Sequence, residues 1–97
     1  MIERVIIRPL AKQDIREARA WYREISAFLA EDFVDAVDDA IELARDRPLA
    51  FQLVHRAFRR VLLRRFPYAL FYYADESRLV IVAVLHQARD PRTLQER

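Results

Sequence analysis

Glycine is missing from all 97 residues of this chain, cysteine is missing too, and the only lysine is Lys12. Each absence removes a class of chemistry. Without cysteine there are no disulfides, no thiolate metal ligands and no thiol nucleophile, which fits a reducing compartment. Without glycine, loops that bring backbone against a phosphate are excluded, because such turns need positive φ or the space that a Cβ fills. Long apolar runs are missing as well: no segment approaches the roughly 20 residues that cross a bilayer. The opening Met1-Ile2-Glu3-Arg4-Val5-Ile6-Ile7-Arg8 is too short and too charged for a signal peptide. A cytoplasmic location with no membrane partner is expected.

What is present suffices for one core. The chain is 54% hydrophobic, and 97 residues are too few for two ordinary domains, so residues 1–97 read as a single domain. The net charge of +2 conceals an asymmetry. Residues 1–50 carry 8 basic and 11 acidic side chains, net −3, whereas residues 51–97 carry 9 and 4, net +5. The second half is therefore the place to look for acidic or polyanionic partners.

The pattern predicts an α+β chain. Arg4 to Arg8 is a short β-branched run stopped by Pro9, a first strand. From Ala11 the apolar positions Ile15, Ala18, Tyr22 and Ile25 recur at spacings of three and four, giving a helix that ends near Ser26. The same period through Phe33, Val34, Val37, Ala40, Ile41 and Ala44 gives a second helix stopped at Arg47-Pro48. The two should form an antiparallel hairpin. Leu49 to Ala57 reads as a linker. Three strands then follow as an antiparallel meander: Phe58 to Phe66, Tyr68 to Ala74, and Leu79 to Leu85. The last is apolar throughout, which places it at the centre of the sheet with the first strand beside it.

Several features invite functional readings. Helix two carries Glu31, Asp32, Asp35, Asp38, Asp39, Glu42 and Asp46, but the amphipathic pattern sends most of them to solvent and no histidine joins them at ligand spacing. No metal site and no cofactor are expected. Trp21 lies beside the apolar stripe and is assigned to packing, and His55 has no readable partner. Arg60 and Arg64 alternate onto one face of their strand, Arg59 and Arg65 onto the other. Stacking of nucleic acid on Tyr68, Phe71 and Tyr72 could use only part of that set, since Phe71 alternates to the opposite face; direct nucleic-acid binding is not expected.

The strings Arg64-Arg65-Phe66-Pro67-Tyr68-Ala69-Leu70-Phe71-Tyr72 and Val82-Ala83-Val84-Leu85-His86-Gln87-Ala88-Arg89-Asp90-Pro91, separated by an acidic turn, resemble the RelE/ParE superfamily of bacterial toxins. Within it they look like the ParE and plasmid-stabilisation branch, and the resemblance spans nearly the whole chain. It implies the toxin of a type II toxin-antitoxin pair, held inactive by a cognate, ParD-like antitoxin whose acidic, amphipathic C-terminal segment folds against it. Arg59, Arg60, Arg64, Arg65 and Tyr72 are the expected antitoxin contacts.

The two branches differ in target. The ribonuclease branch cuts messenger RNA in the ribosome and often places arginine directly after the tyrosine that opens the third strand, where this chain has Ala69. It also often carries a tyrosine shortly after the last strand, where this chain has Gln95. The enzymatic alternative would be an endoribonuclease in which His86 moves the proton while Arg60 and Arg89 hold the phosphate. The simpler assignment is that His86 ends the strand against backbone or Asp90, and that Arg89 pairs with a carboxylate such as Asp90. No catalytic residue is favoured. The ParE-like implication is binding and inhibition of DNA gyrase, with His86, Arg89, Asp90 and Arg92 as the expected target contacts.

Overall fold

The helical hairpin turns on one serine. In the computed structural model, which describes residues 1–97 apart from the side chain of Pro91, α1 spans Pro9–Ile25 and α2 spans Ala27–Asp46. Ser26 is extended (φ −165°, ψ 136°), and its N–H donates to the Tyr22 carbonyl at 2.9 Å to end α1. Its Oγ accepts the Phe28 N–H at 3.1 Å, satisfying a donor that the first turn of α2 would leave orphaned. Pro9 opens α1, where its missing N–H costs nothing, and Arg47 caps α2 ahead of Pro48.

The sheet has five strands rather than the four the pattern predicted: β1 Arg4–Ile7, β2 Gln52–His55, β3 Phe58–Leu62, β4 Tyr68–Ala74 and β5 Arg78–His86. Their order is β1-β5-β4-β3-β2, so β4 rather than β5 is the middle strand. β1 runs parallel to β5 and the other neighbours are antiparallel. The additional strand, β2, lies inside the expected linker. Its four residues carry a register irregularity between Leu53 and His55, and its turn into β3 uses Arg56 at φ 51° instead of a glycine or asparagine. The expected strand through Phe66 stops at Leu62, because Arg65 adopts φ 68° in the turn that the Leu63 N–H to Tyr68 carbonyl bond closes at 3.0 Å. In a chain without glycine, arginine holds both left-handed positions, at a cost of about 1–2 kcal/mol each.

Both helices pack on one sheet face. Phe33, fully buried, sits among Tyr22, Phe66 and Tyr68 at centroid separations of 5.5, 5.4 and 5.2 Å. Leu70, Tyr72, Leu79 and Ile81 complete this layer from the sheet. The opposite face gathers Ala69, Phe71, Val80, Val82 and Leu85 around Leu94, which a 3₁₀ turn at Pro91–Glu96 lays across it.

β5 carries a bulge: Phe71 pairs with Ala83 but Tyr72 pairs with Ile81. β1 ends opposite Ile81 and leaves the outer edge of β5 without a strand beyond it. Two side chains finish the hydrogen bonding there. Asp14 Oδ2 accepts the Val84 N–H at 3.0 Å and Arg97 Nη1 donates to the Val82 carbonyl at 3.0 Å, while Arg97 and Asp14 form a two-armed pair at 2.9 and 3.1 Å. Edge backbone groups are thus paired without a further strand.

Trp21 is 65% exposed and is not a packing residue. The buried stripe of α1 runs through Ala11 and Ala18 with Ile15 and Tyr22, and Trp21 projects about 100° away from Tyr22 on the helix circumference. Ile25, expected on the stripe, is 62% exposed where α1 reaches the end of the hairpin. Among the described residues, no helix is long and apolar enough to cross a membrane.

Candidate functional site

The exit of β5 forms a shallow depression of about 230 Å³ against α1. β5 delivers His86 at its exposed end, the following turn delivers Arg89, β4 contributes Tyr68 and α1 contributes Glu17 and Trp21. His86 presents its ring to Tyr68, edge to face at 5.4 Å, and its Nδ1 accepts the Ala88 N–H at 3.0 Å. The neutral ring therefore carries its proton on Nε2. The Arg89 N–H donates to the His86 carbonyl at 2.9 Å, which tightens the turn and brings Arg89 back over the depression. Burial pushes the Tyr68 phenol above the ordinary tyrosine range, so it stays protonated at neutral pH and can donate a hydrogen bond. Asp14, at the floor, is committed to Arg97, and Glu17 accepts from Gln13 at 2.9 Å.

The expected residues are only partly brought together. His86 and Arg89 share the depression. Asp90 and Arg92 instead bind each other at 2.7 Å, and Asp90 Oδ1 accepts the Arg92 N–H at 2.9 Å, capping the 3₁₀ turn. The hydrogen bond from Arg92 holds the Asp90 carboxyl below the usual aspartate range. Asp90 pairs with Arg92, then, and not with Arg89 or His86. Arg60 stands apart, cross-strand from Phe71 on the face away from the helices, with Nη2 3.3 Å from Gln52 Oε1. The proton carrier and both phosphate clamps of the endoribonuclease alternative are therefore not assembled in one place.

Among the expected antitoxin contacts, Tyr72 is corrected. It is fully buried, and its hydroxyl donates to the Pro48 carbonyl at 2.7 Å, so it fastens the segment after α2 to the sheet. Arg59 turns to the same side and donates to the Phe51 carbonyl at 2.7 Å. Arg60 and Arg64 do not share a strand face, because Arg64 lies beyond the end of β3 and reaches Asp39 on α2 at 3.0 Å. That pair is exposed and contributes little to stability. Arg65 stays exposed beside Arg64, facing Asp35, Asp38 and Asp39 across a cleft. Asp38, on the exposed side of α2 and surrounded by Asp35, Asp39 and Glu42, has its carboxyl raised, by desolvation first and then by those like charges.

Sequence reasoning missed Glu17, Trp21 and Tyr68 as walls of the depression. The available signal was the spacing of Glu17 and Trp21, four residues apart on a flank of α1 that the apolar stripe leaves free.

Comparison with known proteins gives this geometry a family. The model of the family described as "ParE toxin of type II toxin-antitoxin system, parDE" matches residues 5–91. The chain belongs to the ParE toxin family. A solved structure titled "Chromosomal ParDE TA system from P. aeruginosa" has a similar fold, with a TM-score of 0.61 and 15% sequence identity over 89% of this chain and 96% of that one. Curated proteins give no sequence match. The β5 exit and the β3–β4 turn are accordingly surfaces of a ParE-family toxin.

Proposed function

We propose that this ParE-family chain acts by binding DNA gyrase through the β5 exit, and that a ParD-like antitoxin with an acidic C-terminal segment neutralises it. The observation that carries the reading is the separation of the ionic groups. His86 and Arg89 face one depression beside Trp21, while Arg60 lies on the other sheet face. A phosphoryl-transfer site needs its proton carrier and its charge stabilisers around one reacting atom. A protein-docking surface needs only an aromatic wall and an accessible arginine, the residue types that dominate interface hot spots. Gyrase supplies the chemistry, the toxin the contact.

The antitoxin contact is assigned to Arg59, Arg60, Arg64 and Arg65 along β3 and its turn. Arg60 and Arg64 are available to an acidic segment because their present partners, Gln52 and Asp39, are single surface contacts. The double variant Arg60→Glu, Arg64→Glu is expected to weaken antitoxin binding at least about tenfold, a change of roughly 1.4 kcal/mol, with the thermal midpoint unchanged. Calorimetry with the cognate antitoxin checks this, and an unaltered affinity moves the contact elsewhere.

Two activity assays decide the target. The purified chain is expected to block supercoiling by gyrase or to raise the cleaved-DNA complex, and to leave messenger RNA intact on translating ribosomes. Ribosome-dependent cleavage with no effect on gyrase would reverse the assignment.

A further inference from the structure

Three successive amides hold the turn at the exit of β5. The Gln87 N–H donates to the Pro67 carbonyl at 2.8 Å and the Arg89 N–H to the His86 carbonyl at 2.9 Å, main-chain acceptors that do not titrate. Between them the Ala88 N–H donates to His86 Nδ1 at 3.0 Å. A ring nitrogen accepts only while it carries no proton, and in the imidazolium both ring nitrogens are donors. This one bond is therefore conditional on proton state, and histidine is the side chain whose charge ordinarily changes between about pH 5 and 8.

We propose that His86 is a pH-sensitive latch on the β5 exit: the neutral ring closes the turn and holds Arg89 over the depression, and the charged ring opens it. The inference rests on the reading of the β5 exit as the target contact and names a regulation of that same surface. Two effects act in one direction. The first is the lost acceptor. A second proton, on Nδ1, faces the Ala88 N–H donor against donor, so the ring turns away and the turn loses its side-chain tie. The second is charge. His86 and Arg89 line the same depression of about 230 Å³, and a charged ring sets two cations within it. The groups facing the ring from the neighbouring elements decide where it goes. Tyr68 on β4 meets it edge to face at 5.4 Å and stays protonated, offering no charge. On α1, Asp14 is committed to Arg97 at 2.9 Å, which leaves Glu17 as the carboxylate of the lining that can attract an imidazolium. The latch is thus shut while the ring is neutral and opens as pH falls through its titration, so target binding weakens on the acid side.

The test follows the isotope-labelled chain by nuclear magnetic resonance from about pH 8 to about pH 5. Ring-nitrogen shifts are expected to place the proton of the neutral ring on Nε2. Protection of the Ala88 amide, corrected for the intrinsic pH dependence of exchange, should fall roughly two- to tenfold as the ring titrates, the worth of one hydrogen bond. His86→Asn sets an amide oxygen near the place of Nδ1 and does not titrate, so its Ala88 protection should stay constant; His86→Leu has no acceptor and should show the open turn throughout. A neutral ring protonated on Nδ1, Ala88 protection that ignores the titration, or the same pH dependence in His86→Asn overturns the proposal. In supercoiling assays at both ends of the range, inhibition by the parent relative to His86→Asn should fall on the acid side, a ratio that cancels gyrase's own pH dependence. A constant ratio while the latch opens overturns the regulation, as does a His86→Asn chain inactive at both ends, which makes the ring a direct contact. A parent chain without effect on gyrase at either pH instead strikes the target reading, while the resonance data still decide the latch.

Discussion

Asp14 and Arg97 lie 83 positions apart in the chain and meet as a buried pair whose side chains are only 12% and 13% exposed. Together they also pair the Val84 N–H and the Val82 carbonyl at the bulge, so neither charge is left uncompensated. Removing one partner strands the other: Arg97→Met is expected to cost about 3–5 kcal/mol, measurable by urea denaturation, and Asp14→Asn combined with Arg97→Met should recover part of the loss. Tyr72→Phe removes only the bond to Pro48, about 1 kcal/mol, and should leave antitoxin affinity unaltered because Tyr72 is buried. Asp75 and Asp90 supply a pH test. Arginine hydrogen bonds lower both carboxyls, from Arg78 for Asp75 and Arg92 for Asp90, so their caps are fully present above the unfolded aspartate value of about 3.9 and are lost as pH falls through the lower folded values. Amide exchange of Ser77, Arg78 and Arg92 should therefore accelerate only under strongly acid conditions, whereas acceleration at mildly acid pH would contradict the assigned direction.

At the scale of elements, legibility followed periodicity and length. Both helices could be read because apolar residues repeat at three and four over many turns, and β4 and β5 because aromatic and β-branched residues fill them. β2 could not: Gln52–His55 is four residues long, half of it exposed, and its turn places arginine where glycine or asparagine would have marked a hairpin. The end of β3 was hidden for the same reason, since nothing in Arg64-Arg65 announces a left-handed residue. Trp21 was misassigned because a large aromatic beside an apolar stripe is more often buried, and one helical step of about 100° decides which it is. Ser26 carries the junction of α1 and α2. Ser26→Ala should cost about 1 kcal/mol through the lost cap and lower the thermal midpoint by about 4–8 °C in a domain of this size; scanning calorimetry reads the change directly, and an unshifted midpoint would deny the cap its role.

Over the whole molecule, the separation of surfaces matters most. The β5 exit and the β3–β4 turn occupy different places on one small fold, so the proposed target contact and the proposed antitoxin contact use different residues. The family and its fold class could be read from Arg64–Tyr72 and Val82–Pro91, and the match over residues 5–91 agrees. The site was legible only in part: His86 and Arg89 line one depression, but the register of β3 sets Arg60 opposite Phe71, on the face away from the helices. The most direct test of a gyrase-binding β5 exit is a supercoiling assay comparing the parent chain with Arg89→Glu, both shown folded by circular dichroism. Inhibition by the parent, weakened at least about tenfold in Arg89→Glu and abolished by cognate antitoxin, is the predicted result; a parent chain without effect on gyrase at any concentration, or equal inhibition by the two proteins, would contradict it.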